Sequence, residues 1–242
     1  MSTVKNRQIV LDTETTGMNM VGVHYEGHRI IEIGAVEVIN RRLTGNNFHV
    51  YIKPDRLVDP EAFGVHGISD EFLIDKPSFA DIAQEFLDYI KGAELIIHNA
   101  PFDIGFMDYE FDKLKQGIGH TSEFCAITDS LVMARKQFPG KRNSLDALCG
   151  RFDIDNTKRT LHGALLDAEI LADVYLSMTG GQTTLTFSGE TEQSTEAGLL
   201  AQHRTAQASG QLRVISATES EQAEHEAYLD RIIKKSGQCL WR

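Results

Sequence analysis

The spacing of apolar residues changes as the chain proceeds, and the changes outline an α/β domain. Residues 7–12 (RQIVLD) are a short apolar run of strand character. Residues 29–40 (RIIEIGAVEVIN) and 47–53 (NFHVYIK) predict two more strands, joined by the turn-rich RRLTGN into an antiparallel hairpin. At 78–91 (SFADIAQEFLDYIK) the period becomes helical, with Ser78 as N-cap, an acid three residues on, and Gly92 as a stop. The apolar segment ELIIH at 94–98 fits a strand buried on both faces, and a helix over 102–115 follows it. Further helices are expected at 129–136, 144–152 and 163–178; in the last, Leu166, Ile170, Leu171 and Val174 form one stripe that Gly180 and Gly181 end. Hairpin strands followed by alternating helices and a strand indicate a mixed sheet flanked by helices.

Periodicity stops after Gly181. The stretch SGETEQSTEAGLLAQHRTAQASGQ is rich in Ser, Thr, Gln, Gly, Ala and Glu and reads as a flexible linker. The expected organisation is a domain at 1–180, a linker at 181–211 and a tail at 212–242. In the tail, LRVI at 212–215 is strand-like, 220–235 is an amphipathic helix, and the chain closes on CLWR with its only tryptophan. A segment this small has no core of its own, so docking on another protein is expected.

Composition narrows the picture. In 242 residues, 41% apolar content with 12 Phe and 6 Tyr is enough for a substantial core. The net charge is −11, whereas a protein held to DNA mainly by phosphate contacts is ordinarily basic. Any handling of nucleic acid must then be local, through metal ions or with a partner's help. Cys125, Cys149 and Cys239 form no CxxC pair, which suggests a reduced compartment without a disulfide framework or structural zinc. No apolar run approaches membrane-spanning length and the amino terminus lacks a signal-like apolar region, so a cytosolic protein without a membrane partner is expected.

Acidic residues then stand out by position. Asp12 and Glu14 are two apart at the end of an apolar strand, so they project from one face. A solvated strand end accounts for that pair alone equally well. In HNAPFD (98–103) a buried strand ends and Asp103 stands at the mouth of the next helix, while HGALLDA (162–168) sets His162 and Asp167 around the start of the last long helix of the domain. Sites in open α/β sheets form at the carboxyl ends of strands. Four carboxylates converging there would repel one another, and divalent ions are the natural compensation. Oxygen-only ligands suit Mg²⁺ or Mn²⁺. Two such ions clamp the attacking and leaving oxygens of a phosphodiester, and a histidine titrates in the range a base needs. Five helical residues would leave His162 and Asp167 about 140° apart, so His162 belongs on the lead-in to the helix.

LDTETTG, HNAPFD and LHGALLDA, in that order and spacing, resemble the three motifs of the DEDDh exonucleases over roughly residues 7–178, with no motif residue departing from the pattern. The resemblance implies an RNase H-like fold and 3′→5′ removal of nucleotides with two metal ions. It implies that Asp12, Glu14, Asp103 and Asp167 bind the metals and that His162 is the general base, histidine rather than tyrosine marking this branch. The stretches HYEGHRIIEIGAVEVINRRLTGNNFHVYIKP and FPGKRNSLDALC, with the Cys-Leu-Trp ending, resemble the proofreading exonucleases of bacterial replicative polymerases. That implies a bacterial cytoplasmic protein acting on a single-stranded DNA primer 3′ end. It also implies attachment to the polymerase catalytic (alpha) subunit through the tail, and a small theta-like accessory subunit on the exonuclease domain.

Secondary features fit more than one use. QTTLTF at 182–187 matches a sliding-clamp-binding pattern, with Leu185 and Phe187 for an apolar groove and Gln182 for its rim; it is also a short Thr-rich stretch that chance could supply. ARKQFPGKRNS gathers Arg135, Lys136, Lys141 and Arg142 at a Pro-Gly turn, for DNA phosphates or simply for solvent. His66 and His98 each lie near a motif, as pocket residues or as core histidines. Thr15 by its backbone amide and Phe102 by its ring are placed to touch a terminal nucleotide. Two alternatives to proofreading stay open here: an RNA-trimming relative, and a scaffold joining polymerase to clamp.

Overall fold

The computed structural model describes residues 7–157, 159, 161–180 and 217–239. The chain divides into two units, Met1–Thr184 and Leu185–Arg242. In the first, β1 (Arg7–Thr15), β2 (Ile30–Ile39), β3 (Arg42–Leu43) and β4 (Phe48–Tyr51) come first, followed by α1 (Pro60–His66), α2 (Asp70–Leu73) and α3 (Phe79–Ile90). Then β5 (Glu94–Ile97), α4 (Ala100–Leu114), α5 (Thr121–Phe124) and β6 (Ala126–Asp129) alternate, and α6 (Ser130–Gln137), α7 (Leu145–Phe152) and α8 (Ala164–Thr179) complete the unit.

The sheet order is β3-β2-β1-β5-β6, with β4 sharing the outer edge of β2. β1 pairs antiparallel with β2 and parallel with β5, and β6 adds in parallel beyond β5, giving the expected mixed sheet. Alternation along β1 sends Ile9 and Leu11 to one face, against Phe86, Phe106 and Phe111 of α3 and α4. It sends Val10 to the other, where Leu148 of α7 and Leu171 and Val174 of α8 cover it. Both faces are therefore dry, which is why the central strands read as continuous apolar runs.

β1 does not stop at Asp12 as the sequence suggested. Its ladder with β2 continues through Asp12–Gly34 and Glu14–Glu32 and breaks into a bulge only between Glu14 and Thr15. Both acids therefore sit on hydrogen-bonded backbone rather than on a loose end. Gly34 has a second duty: a Cβ there would lie 2.1 Å from the backbone of Ala164 and Leu165, so only glycine lets α8 press against β2.

In the second unit, α9 (Glu219–Ser236) occupies the predicted helix almost residue for residue. Thr218 and Glu221 form a capping box, Lys234 and Lys235 occupy the last turn, and Gly237 closes it in the left-handed region. Residues 182–187, 212–215 and the terminal Leu-Trp-Arg lie outside the described residues. Cys125, Cys149 and Cys239 are free, and no described helix is long and apolar enough to cross a membrane.

Candidate active site

At the carboxyl end of β1, Asp12 and Glu14 face α8, and the intervening Thr13 turns toward α4. The register of β1 on β2 and the close seat of α8 at Gly34 bring the first turn of α8, carrying Asp167, over Asp12 and Glu14. α4 begins at Ala100, two residues earlier than expected, because Pro101 suits its first turn and Asn99 takes a left-handed conformation before it. That start sets Asp103 in the first turn, where the Thr13 hydroxyl donates to its Oδ1 at 2.7 Å.

His162 stands before α8 begins, on the lead-in that the helical angle demanded. Its backbone N–H donates to Val65 O at the end of α1 (3.1 Å), which tethers the lead-in. One ligand atom from each of Glu14, His162 and Asp167 lies within 4.8 Å of the others.

The four carboxylates are deeply placed: Glu14, Asp103 and Asp167 are 8%, 3% and 2% exposed. Asp12 keeps a little more surface, toward a cavity, yet protein surrounds it. Burial and the neighbouring carboxylates Asp103, Glu14 and Asp167 hold the Asp12 carboxyl well above its ordinary range. Burial first, then Glu32 and Asp167, push Glu14 up to about 8. Burial lifts Asp103 to about 7 in spite of the hydrogen bond from Thr13. For Asp167, burial is outweighed by the hydrogen bonds and positive charge of Arg159, and its carboxyl lies below the usual value. A hard divalent cation would supply the positive charge that three of these groups lack, and the atoms available to it are carboxylate oxygens with one imidazole. The residues present fit such an ion.

Arg159, which the sequence reading passed over, forms a bidentate pair with Asp167, Nε to Oδ1 at 2.5 Å and Nη2 to Oδ2 at 2.8 Å. Glu32 is a second omission: behind Glu14, its Oε2 accepts the N–H of Ala164 at 3.2 Å and its Oε1 meets His49 Nε2 at 2.8 Å. A buried glutamate in the apolar pattern of β2 was the signal for Glu32. Arg159 lies in a polar connection whose composition offers none.

Two cavities flank the acids. One, of about 420 Å³, is bordered by Glu14, Thr15, Val65, His66 and Phe102, so Thr15, His66 and Phe102 come together as expected. Phe102 stacks on His24 at 5.2 Å between ring centres, while His66 Nδ1 accepts the N–H of Ile68 (3.0 Å) and its Nε2 has no hydrogen-bond partner. The other, of about 460 Å³, contains Asp12, His98, Arg142, Arg159, His162 and Asp167. His98, paired through Nδ1 with Ser130 at 2.9 Å, is thus apart from His66. His98 and Ser144 also line a groove of about 690 Å³ with Arg135 and Lys141. None of Arg135, Lys136, Lys141 and Arg142 forms an ion pair with a described acid.

The Exonuclease family (RNase_T) matches residues 9–175, and the chain belongs to that family. Within it the chain belongs with the epsilon subunits of DNA polymerase III. It is 69% identical over 242 residues to the Escherichia coli K12 subunit, covering all of both chains, and 62% identical to that of Haemophilus influenzae, covering 98% of this chain and 94% of the relative. Among solved structures, Exonuclease X in complex with 5′ overhanging duplex DNA aligns with a TM-score of 0.55 at 25% identity, over 76% of this chain and 94% of that one. The zinc-bound E. coli Exonuclease I–single-stranded DNA complex aligns with a TM-score of 0.61 at 17% identity, over 74% and 41%, which speaks to the fold alone. The fold is the RNase H-like exonuclease fold, and the family depends on divalent metal.

Proposed function

We propose that the chain removes mispaired nucleotides from the 3′ end of a DNA primer, as the proofreading subunit of the replicative polymerase in the bacterial cytoplasm. The observation that carries this reading is the convergence of four carboxylates and His162 at one end of the sheet. Two divalent ions, Mg²⁺ or Mn²⁺, held by Asp12, Glu14, Asp103 and Asp167, would supply the charge that favours attack on the phosphodiester and departure of the leaving oxygen.

The protein's own residues do the remainder. His162, 45% exposed at its side chain, takes the proton of the attacking water. The water oxygen bonds to phosphorus, the bond from phosphorus to the primer's 3′ oxygen breaks, and that oxygen leaves with a proton from solvent. Thr15 and Phe102 receive the terminal nucleotide in the apolar cavity beside Glu14, with His66 at its wall and His98 on the opposite side of the acids. A mismatched end frays more readily, so a site that accepts only single strands favours errors.

The remaining assignments concern the tail. Residues 212–242 attach the subunit to the polymerase catalytic (alpha) subunit, and Gln182, Leu185 and Phe187 bind the sliding clamp. A theta-like subunit covers part of the domain formed by residues 1–180. Digestion of a 3′-labelled mismatched primer, with and without Mg²⁺, tests the reaction. Metal-dependent loss of single 3′ nucleotides is expected, faster from mismatched than from paired ends. Indifference to metal, or a preference for RNA of the same sequence, would overturn the reading. Deletion of residues 181–242 is expected to abolish polymerase association and spare digestion.

A further inference from the structure

Arg159 lies on the connection between α7 and α8, and its side chain is 8% exposed, with the guanidinium among three acceptor residues. Both oxygens of Asp167 accept from it, at 2.5 and 2.8 Å. Asp146 Oδ1 accepts a third bond from Nη1 at 2.8 Å. Nη2 also lies 2.9 Å from His162 Nδ1. A guanidinium only donates, so in that contact Nδ1 accepts and the imidazole proton is on Nε2. His162 Nδ1 is 3.1 Å from Asp167 Oδ2 as well, but it cannot donate there while accepting from Arg159. One cation therefore engages a carboxylate expected to hold metal and the histidine expected to take the proton. It is also the cation whose field reaches Asp12 and Glu14.

A planar guanidinium covering both oxygens of one carboxylate leaves no approach for a metal ion along the same lone pairs. We propose that Arg159 is a resident substitute for the divalent cation, neutralising Asp167 and occupying the His162 imidazole until metal uptake displaces it. The inference rests on the metal-dependent reading above and concerns how that site is regulated. Displacement frees Asp167 and His162 in one event, so the base becomes available only when the metal is bound. It also frees a positive charge in the cavity that Arg159 shares with Asp12 and Arg142, where a substrate phosphate would sit.

Competition of this kind lowers metal affinity, so removing the competitor should raise it. Mn²⁺ binding to the full chain, without nucleic acid, can be followed by calorimetry and by the resonance of free Mn²⁺. Arg159→Ala is expected to bind Mn²⁺ about tenfold tighter than wild type, the loss of one partly buried ion pair. Its melting temperature in chelator should fall, and its rise on adding saturating Mg²⁺ should exceed that of wild type. Arg159→Lys cannot form the fork and should fall between the two. A merely structural arginine would also lower the melting temperature, but with Mn²⁺ affinity unchanged or weaker in both variants, and that result overturns the proposal. Should the alanine variant not fold, the lysine variant decides by the same criterion. A wild-type chain that takes up no Mn²⁺ removes the metal reading and this inference together, whereas normal uptake without tightening removes this inference alone.

Discussion

The hydroxyl of Thr13 donates to Asp103 Oδ1 at 2.7 Å, joining positions 90 residues apart. It holds the carboxylate of α4 in line with the acids of β1 and steadies its charged form. Thr13→Val keeps the shape and removes the donor. Metal affinity and turnover should fall by about 10–100-fold, as when an orienting partner is lost. Thr13→Ser should recover most of both. A valine variant with wild-type metal affinity would show that Asp103 needs no such support.

The acids also forecast an unusual pH dependence. Glu14 and Asp103 have folded-state values of about 8 and about 7, above their ordinary 4.5 and 3.8. A raised carboxyl favours the folded state while protonated, so its contribution is complete below the ordinary value and disappears as pH climbs through the folded one. Metal-free protein should therefore lose stability as pH rises from 3.8, the ordinary Asp103 value, to about 8. Asp167, held low, contributes in the opposite sense, and its share is lost only in acid below that window. Saturating Mg²⁺ should flatten or reverse the slope, because it binds the ionised forms. Melting curves across this range, with chelator and with Mg²⁺, provide the check.

Neutralising the repulsion should separate stability from activity. Asp12→Asn removes a buried charge among carboxylates, so metal-free protein should melt a few degrees higher. Its metal-dependent cleavage should drop to background. A lower melting temperature with activity retained would contradict the electrostatic description of the site.

His162→Gln should cost about 10²–10⁴-fold in turnover, the usual span for loss of a positioned base. Mn²⁺ binding should persist through the carboxylates. Comparable losses in binding and in turnover would make His162 a ligand instead, which its closeness to Glu14 and Asp167 allows geometrically.

Arg135 and Lys141 line the groove that shares His98 and Ser144 with the acidic cavity. If strand phosphates lie there, Arg135→Gln and Lys141→Gln should each reduce the salt dependence of single-strand binding by about one counterion. Titrations at several salt concentrations distinguish this from a general loss of affinity. Unchanged slopes would leave the loop to solvent.

The sheet and the long helices were legible because alternation and helical stripes survive wherever a face is buried, as in β2 and α8. That Asp12, Glu14, Asp103, His162 and Asp167 would meet at one end of the sheet was legible because strand ends and helix starts have sequence signals. The short elements were not. In DPEAFGVHGISDEF, Pro and Gly mask α1 and α2, each only one or two turns long, and β6 is four residues whose partner β5 lies far back in the sequence. Arg159 was hidden for another reason: a lone arginine in a polar loop has no period, and its partners Asp146 and Asp167 belong to two different helices. Such a relation exists only after the chain has folded.

At Gly34 the strand and α8 nearly touch backbone to backbone. The spacing between the acids of β1 and Asp167 is thus set by a position with no chemistry of its own. A methyl group there would wedge the two carriers apart, and the site would widen while every ligand remained. Gly34→Ala is a mutation that a survey of functional side chains would overlook, yet it alters the distance that any divalent ion held between β1 and α8 would have to span.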